Sequence, residues 1–514
     1  MRTPLIPSEP VEHSPIRDGQ ASTDSPPAGA PGAEHRNERG FFGHPWGLAN
    51  LAGVEMWERF SFYGMQGILL YYIYYQVSDG GLGLSHGVAN SIVGAYGGCV
   101  YLASVLGGWV ADRVLGAERT LLTAASIIMV GHLALALVPG TVGLGIGLLC
   151  VALGSGSLKT TTSTVVGDLY TREDVRRDAA FSIYYMGVNI GGFVGPLLTS
   201  WLWDWKGFHW GFGLAAIGMA AGLIQYVSMR RHTRSEANAT APHPLTRSES
   251  AKWALVVLLA VVIVVVTALT HLLTAKNLSD VVVVVTILAA VALFVVLLAS
   301  KQITSVERRR VIAFIPLFIA SAVFWSLFQQ QFTVLAVYSD ERLNRHLFGM
   351  VVPPSVVQSI NPVFIIIFAG AFAALWTKLG TRQPSTPLKF FLGTVIVGIA
   401  FLTFIPFAGG AAHSVPFWAI VVILLLCTFA ELCLSPVGQS LATKLAPEAF
   451  HSQMVALYFL SVALGTAASG SLAKLYSTEN EVPYFLSMGV VAIAVGVVLF
   501  LIRKPVLRLM GGVR

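Results

Sequence analysis

The sequence predicts an all-α polytopic membrane protein with fourteen transmembrane helices in an order of six, two and six. Three observations carry this. Of 514 residues, 55% are hydrophobic and only 11% charged, where a soluble domain has about 25% charged residues. Apolar segments recur at the length of roughly 20 residues that a helix needs to cross the hydrocarbon layer. Lysine and arginine are distributed unevenly between alternate loops, as membrane sidedness requires.

In chain order, residues 1–45 are rich in Pro, Ser, Gly, Asp and Arg and lack an apolar core. They read as a disordered cytoplasmic tail and not as a signal peptide. Spanning segments follow near 47–76, 87–111, 120–138, 142–166, 179–203 and 209–229. Two further segments, 253–270 and 281–300, hold almost no polar residue, and helices apolar all round suit lipid on most faces. The last six lie near 311–338, 355–377, 389–408, 416–440, 453–472 and 483–502. This divides the chain into a six-helix bundle over 46–230, a linker with two extra helices over 231–305, a second six-helix bundle over 306–503, and a short tail over 504–514. With the N-terminus inside, cytoplasmic segments hold 26 of the 33 Lys and Arg, outer loops hold five, and Arg59 and Lys159 lie within helices. A miscounted helix would invert the bias downstream. No inversion occurs, so both termini are expected in the cytoplasm.

Composition also excludes functions. The four cysteines all fall in apolar segments without metal-ligand spacing. The net charge of +7 follows sidedness and does not call for nucleic acid. There is no GxxxxGK[ST] loop for nucleotide, no metal motif and no nucleophile–base pair. The chain is therefore not expected to be an enzyme or an ATP-driven pump, and no cofactor is expected.

The chemistry lies in charges placed where hydrocarbon makes them costly. In "EMWERFSFYG" (55–64), Glu55, Glu58 and Arg59 are spaced i, i+3 and i+4, so they share one helix face and Arg59 can pair with Glu55 one turn back. Lys159 sits in "GSGSLKTTTS" (154–163) on the fourth helix, and Glu431 sits in "ELCLSP" (431–436) in the second bundle. Intramembrane ionisable groups mark substrate paths and proton relays. Cations in one half and a carboxylate in the other suit a zwitterion, and a dipeptide, roughly 7 Å long when extended, has the right reach. Two six-helix halves around such a site describe a secondary transporter of the major-facilitator type.

Quoted in order, "EMWERFSFYG", "GGWVADRVLGAERT" (107–120), "FSIYYMGVNIGGFVGPLL" (181–198), "FWSLFQQQFT" (324–333), "QSINP" (358–362) and "ELCLSPVG" (431–438) resemble the motifs of the proton-coupled oligopeptide transporter (POT) family, prokaryotic branch. The resemblance implies a proton-coupled symporter that imports di- and tripeptides across the cell inner membrane by alternating access, with the proton as coupling ion. It implies proton coupling by Glu55, Glu58, Arg59 and Lys159, with Lys159 pairing with the first-helix charges. Peptide would be bound by Arg59, Tyr63, Tyr101, Lys159, Asn361 and Glu431, with Gln329 beside the path. Small peptides, protons and membrane lipid are the implied partners. A transporter of the same fold for another small zwitterion or anion is the alternative, followed by a non-transporting receptor.

Departures from the family pattern are also visible. The seventh core helix reads Gln329-Gln330 where relatives commonly have a carboxylate before a glutamine. Thr160-Thr161 replaces the usual Pro-Asn after the lysine, and Phe332-Thr333 replaces Gly-Ser. Gly187, Gly191 and Gly195 recur every four residues, which predicts a close helix contact. Pro436 favours a bend. Tyr71, Tyr72, Tyr74 and Tyr75 read as an interfacial aromatic belt, and His132 as a packed or locally bonded residue.

Overall fold

The computed structural model describes residues 40–513, apart from 171–173, 175 and 348. The expectation for the N-terminal tail falls mostly on residues 1–39, outside the described set. The long helices are α1 (Trp46–Tyr74), α2 (His86–Val110), α3 (Ala117–Leu137), α4 (Gly140–Asp168), α5 (Arg177–Lys206), α6 (Phe208–Met229), α7 (Arg247–Leu269) and α8 (Leu278–Ala299). They continue with α9 (Ser305–Phe328), α10 (Ile360–Leu379), α11 (Thr386–Leu402), α12 (Phe417–Leu445), α13 (His451–Ala473) and α14 (Glu481–Leu509). Among the described residues thirteen helical spans are long and apolar enough to cross a membrane. The fourteenth, α1, has the length, 29 residues or about 44 Å. Its buried Glu55, Glu58, Arg59 and Gln66 lower its hydropathy.

Local chemistry sets several helix ends. The Thr246 and Thr304 side chains accept from the N–H groups of Glu249 and Glu307, whose carboxylates bond back to the cap residues. These capping boxes start α7 and α9. Gly207, at φ +97°, lets the chain reverse between α5 and α6.

Helix α5 lies along α1 through its glycine stripe. A Cβ on Gly187 would sit 2.9 Å from the Ala52 carbonyl oxygen, and on Gly191 and Gly195 closer still to the carbonyls of Met56 and Phe60. The Thr199 hydroxyl donates to Gly64 O at 2.9 Å across the same seam. This contact fixes the register of the charged face of α1.

Three features differ from the sequence expectation. The seventh core span is not one helix: α9 ends at Phe328, a 3₁₀ turn covers Gln329–Phe332, and a short helix Val334–Glu341 follows. At the break Gln330 Nε2 donates to Ser326 O at 3.1 Å and Tyr484 Oη donates to Gln330 Oε1 at 2.8 Å. The glutamine side chain thus covers the Ser326 carbonyl at the break and is itself held by Tyr484. Helix α10 is preceded by a 3₁₀ segment, Pro354–Ser359, and a small antiparallel hairpin pairs His346 with Val351 and Leu347 with Met350. The tyrosine run on α1 is no surface belt. Tyr71 and Tyr72 are fully packed, because Trp203, Phe208 and Phe212 close around them. Helix α12 runs on through Pro436. His132 is packed at 0% exposure, and neither ring nitrogen has a hydrogen-bond partner.

The halves α1–α6 and α9–α14 meet at the end of the bundle away from the termini. There Tyr74 and Tyr75 donate to the two carboxylate oxygens of Asp340 at 2.7 and 2.9 Å, and Tyr71 donates to Ala336 O at 3.1 Å. His86 lies 3.7 Å from Glu341, and Ser355 donates to Ser200 at 2.6 Å. Helix α7 buries none of its residues. Helix α8 buries Ser279, Val282, Thr286 and Ala290, a stripe spaced three to four residues apart. That stripe enters the seam between α2 and α13, where the Ser279 hydroxyl meets Ser91 at 3.3 Å and Ser471 at 3.0 Å.

Candidate functional site

The site begins on α1. Its i, i+3, i+4 spacing brings Arg59 Nε to 2.9 Å from both Glu55 Oε1 and Glu58 Oε2. All three residues are at most 5% exposed. The single Nε hydrogen goes to Glu55 Oε1, Glu58 Oε2 is held only as a close ion pair, and this arrangement leaves atoms over. Arg59 Nη2, Glu55 Oε2 and Glu58 Oε2 are buried without a hydrogen-bond partner. Leaving a buried polar atom unsatisfied costs about 1–3 kcal/mol, more if charged, so the cluster is poised for a further partner.

Neighbouring helices complete the surroundings. The Ser155 hydroxyl of α4 donates to Glu58 Oε1, and Tyr184 of α5 lies against Glu55. Lys159, one turn beyond Ser155, lies over the Tyr101 ring at 4.9 Å from its centre, a cation–π contact. Among the described residues no ion pair joins Lys159 to Glu55 or Glu58. In this structure Arg59 stands against both carboxylates and the aromatic face takes the ammonium, with Glu55 and Glu58 within electrostatic reach of Lys159. Tyr63 stacks on Phe332 across the seam, with centroids 6.2 Å apart and planes at 16°.

In the second half, Asn361 of α10 donates through Nδ2 to Thr428 Oγ1 at 3.0 Å and to Glu431 Oε2 at 3.3 Å. Thr428 in turn donates to Leu424 O at 2.8 Å. Glu431 is thus aimed by an amide that is itself held. Lys159 and Glu431 lie within electrostatic reach across the gap, yet no ion pair closes between them. Lys159, Tyr63, Tyr101 and Glu431 are all only partly buried, unlike the α1 triad. Gln329 lies in the 3₁₀ turn below α9 and is 8% exposed.

The sequence reading misses Ser155, Tyr184 and Thr428. Helical spacing holds the signal for two of them: Ser155 is four residues before Lys159, and Thr428 three before Glu431, so each shares its neighbour's face. Tyr184 has no such marker. Among the described residues no group of three His, Cys, Asp or Glu is placed to hold a metal ion.

The sequence pattern of the POT family matches residues 118–493. The chain belongs to the POT family. It is 38% identical over 494 residues to the di-/tripeptide transporter of Lactococcus lactis subsp. cremoris, a match covering 93% of this chain and 99% of that one. The fold superposes with a TM-score of 0.88 on a crystal structure of a POT peptide transporter, a point mutant in complex with alafosfalin. That match has 43% identity and covers 94% of this chain and 99% of the other. A second POT family transporter, in complex with 5-aminolevulinic acid, superposes with a TM-score of 0.87 at 37% identity, covering 92% and 99%. As a POT protein the chain is a multi-pass membrane transporter and not an enzyme. The motif that opens the POT resemblance, "EMWERFSFYG", lies upstream of the matched segment and is the part of the chain in which the buried charges concentrate.

Proposed function

We propose that this POT protein imports di- and tripeptides together with protons across a bacterial inner membrane by alternating access. The observation that carries the reading is the division of charge: Arg59 and Lys159 stand in one half and Glu431 in the other, with partly exposed tyrosines between them. A peptide zwitterion matches that division, its carboxylate toward Arg59 or Lys159 and its ammonium toward Glu431. Glu431 favours an amino-bearing ligand over a simple anion, and the pairing with Asn361 fixes its direction.

Loading follows from the shared guanidinium. A proton on Glu55 or Glu58 removes one of Arg59's two charged partners and leaves the guanidinium free to bond the peptide carboxylate. Proton and peptide then cross together as the halves rock about the seam. The membrane potential supplies about 2.3 kcal/mol per charge per 100 mV, a concentration ratio of roughly fortyfold. The charge bias of the loops supports placing both termini in the cytoplasm. On that placement the end joined by Asp340 between Tyr74 and Tyr75 is the outer one.

A second reading, transport of other small zwitterions, is favoured by the 5-aminolevulinic acid bound to the relative described above. A receptor that does not transport has no use for a protonatable triad. Uptake of labelled dialanine into proteoliposomes tests the proposal. An inward proton gradient stimulates uptake on this account, and the absence of stimulation across several peptides removes it.

A further inference from the structure

The family resemblance assigns the link between α4 and α1 to Lys159. In the structure that link is made one turn earlier, where the Ser155 hydroxyl donates to Glu58. Both residues are at 0% exposure, so no water competes for either. We propose that Ser155 is a positioning residue for the proton step, holding ionised Glu58 in place and releasing it when Glu58 takes the proton. The proposal rests on the proton-coupled reading above.

The chemistry is that of one hydroxyl with two acceptors in reach. A Ser O–H bonds a carboxylate more strongly than a neutral acid, because the charge-assisted bond is roughly twice as strong. The alternative acceptor is its own helix. Along α4 the hydroxyls of Ser157, Thr161, Thr162 and Ser163 all donate to the carbonyl four residues back. Ser155 instead spends its hydrogen on Glu58 of α1. When a Glu58 oxygen takes a proton from hydronium, which leaves as water, the hydroxyl can rotate to the Val151 carbonyl, as its neighbours do. One O–H bond of hydronium breaks as the Glu58 O–H forms, and no other covalent bond changes. The link between α1 and α4 then loosens, and Lys159, one turn away on the same face, is no longer held at a fixed distance from Arg59.

The groups that face Glu58 are Glu55, Arg59 and Tyr63 on α1, Tyr96 on α2, and Ser155 and Lys159 on α4, with Tyr184 of α5 beside Glu55. Tyr96 carries a buried hydroxyl with no partner. It is a hydroxyl that could replace Ser155 as donor, so its substitution by Phe belongs in the test.

The test is an infrared pH titration of the purified protein in lipid nanodiscs, without substrate. The carboxylic-acid band lost in Glu58→Gln identifies the group. In Ser155→Ala, and in the similarly sized Ser155→Cys should the first not fold, the midpoint of that band moves to higher pH by about one unit, because a donor to the charged form is lost. Adding Tyr96→Phe leaves that shift in place, and Ser157→Ala, whose hydroxyl serves only its own helix, titrates as wild type. A Ser155→Ala or Ser155→Cys midpoint equal to wild type overturns the proposal, as does a Ser157→Ala shift of equal size. A wild type that shows the Ser155-dependent titration but imports neither dialanine nor several other di- and tripeptides supports the link and defeats the transport reading instead.

Discussion

At the residue scale, the arrangement turns on unequal partnership. Arg59 has two carboxylates at 2.9 Å and a spare nitrogen, while Lys159 has an aromatic face and no carboxylate. A carboxylate entering the gap therefore meets two cations, neither of which holds all the acceptors it can use. Glu431 presents the opposite case: its neutral partner Asn361 orients it without neutralising it, and so preserves its attraction for an ammonium. Hydrogen bonds to charged groups are worth about 1.5–3 kcal/mol. Glu431→Gln is accordingly expected to weaken dialanine binding by about tenfold or more, and to leave binding of N-acetylated dialanine nearly unchanged. Calorimetry or competition uptake on both ligands measures this, and an equal loss for the two removes the assigned role. Helical spacing makes the Glu55, Glu58 and Arg59 face legible in the sequence. It does not rank the competing cations, because which of Arg59 and Lys159 reaches the carboxylates depends on the distance between α1 and α4, and pattern alone does not encode that distance.

At the element scale, the glycine stripe of α5 was legible because small residues at four-residue spacing have one common use in a membrane, close backbone approach. The structure gives that approach a partner, α1, and so connects the stripe to the site. Gly191→Val drives a Cβ into the Met56 carbonyl oxygen. Overpacking a tight core typically costs about 1–3 kcal/mol, so the purified variant is expected to unfold at lower temperature. Gly213→Val on α6, where an added Cβ meets nothing within 4 Å, is the matched control. Equal melting temperatures for the two would show that the seam does not depend on the glycine. Other elements were hidden for physical reasons. The break at Gln329–Phe332 lies in a segment whose residues are helix-compatible one by one, and it is the tertiary bond from Tyr484 to Gln330 that secures it. The tyrosines of α1 are amphipathic, and composition alone cannot separate a ring at the lipid interface from a ring buried against Trp203. Helix α8 appeared uniformly apolar, yet Ser279 at its start bonds both α2 and α13.

At the scale of the whole molecule, the two halves are joined at one end by Tyr74, Tyr75 and Asp340, with Arg345 3.6 Å from the same carboxylate. The charged groups lie deeper, between the halves. A rocking motion that parts this end changes the distance between Lys159 and Glu431, which now lie within reach without contact. The proton enters such a cycle through carboxylates. The position before Gln330 is Gln329, which cannot titrate, so on the proposed mechanism the coupling falls on Glu55 and Glu58 to a degree that a seventh-helix carboxylate would otherwise share. The most direct test compares two assays on Glu55→Gln and Glu58→Gln proteoliposomes: uptake of labelled dialanine driven by an inward proton gradient, and counterflow exchange at equal pH on both sides. The account predicts that at least one of the two variants loses gradient-driven uptake while keeping counterflow. Gradient-driven uptake at wild-type levels in both single variants and in the double variant would contradict it.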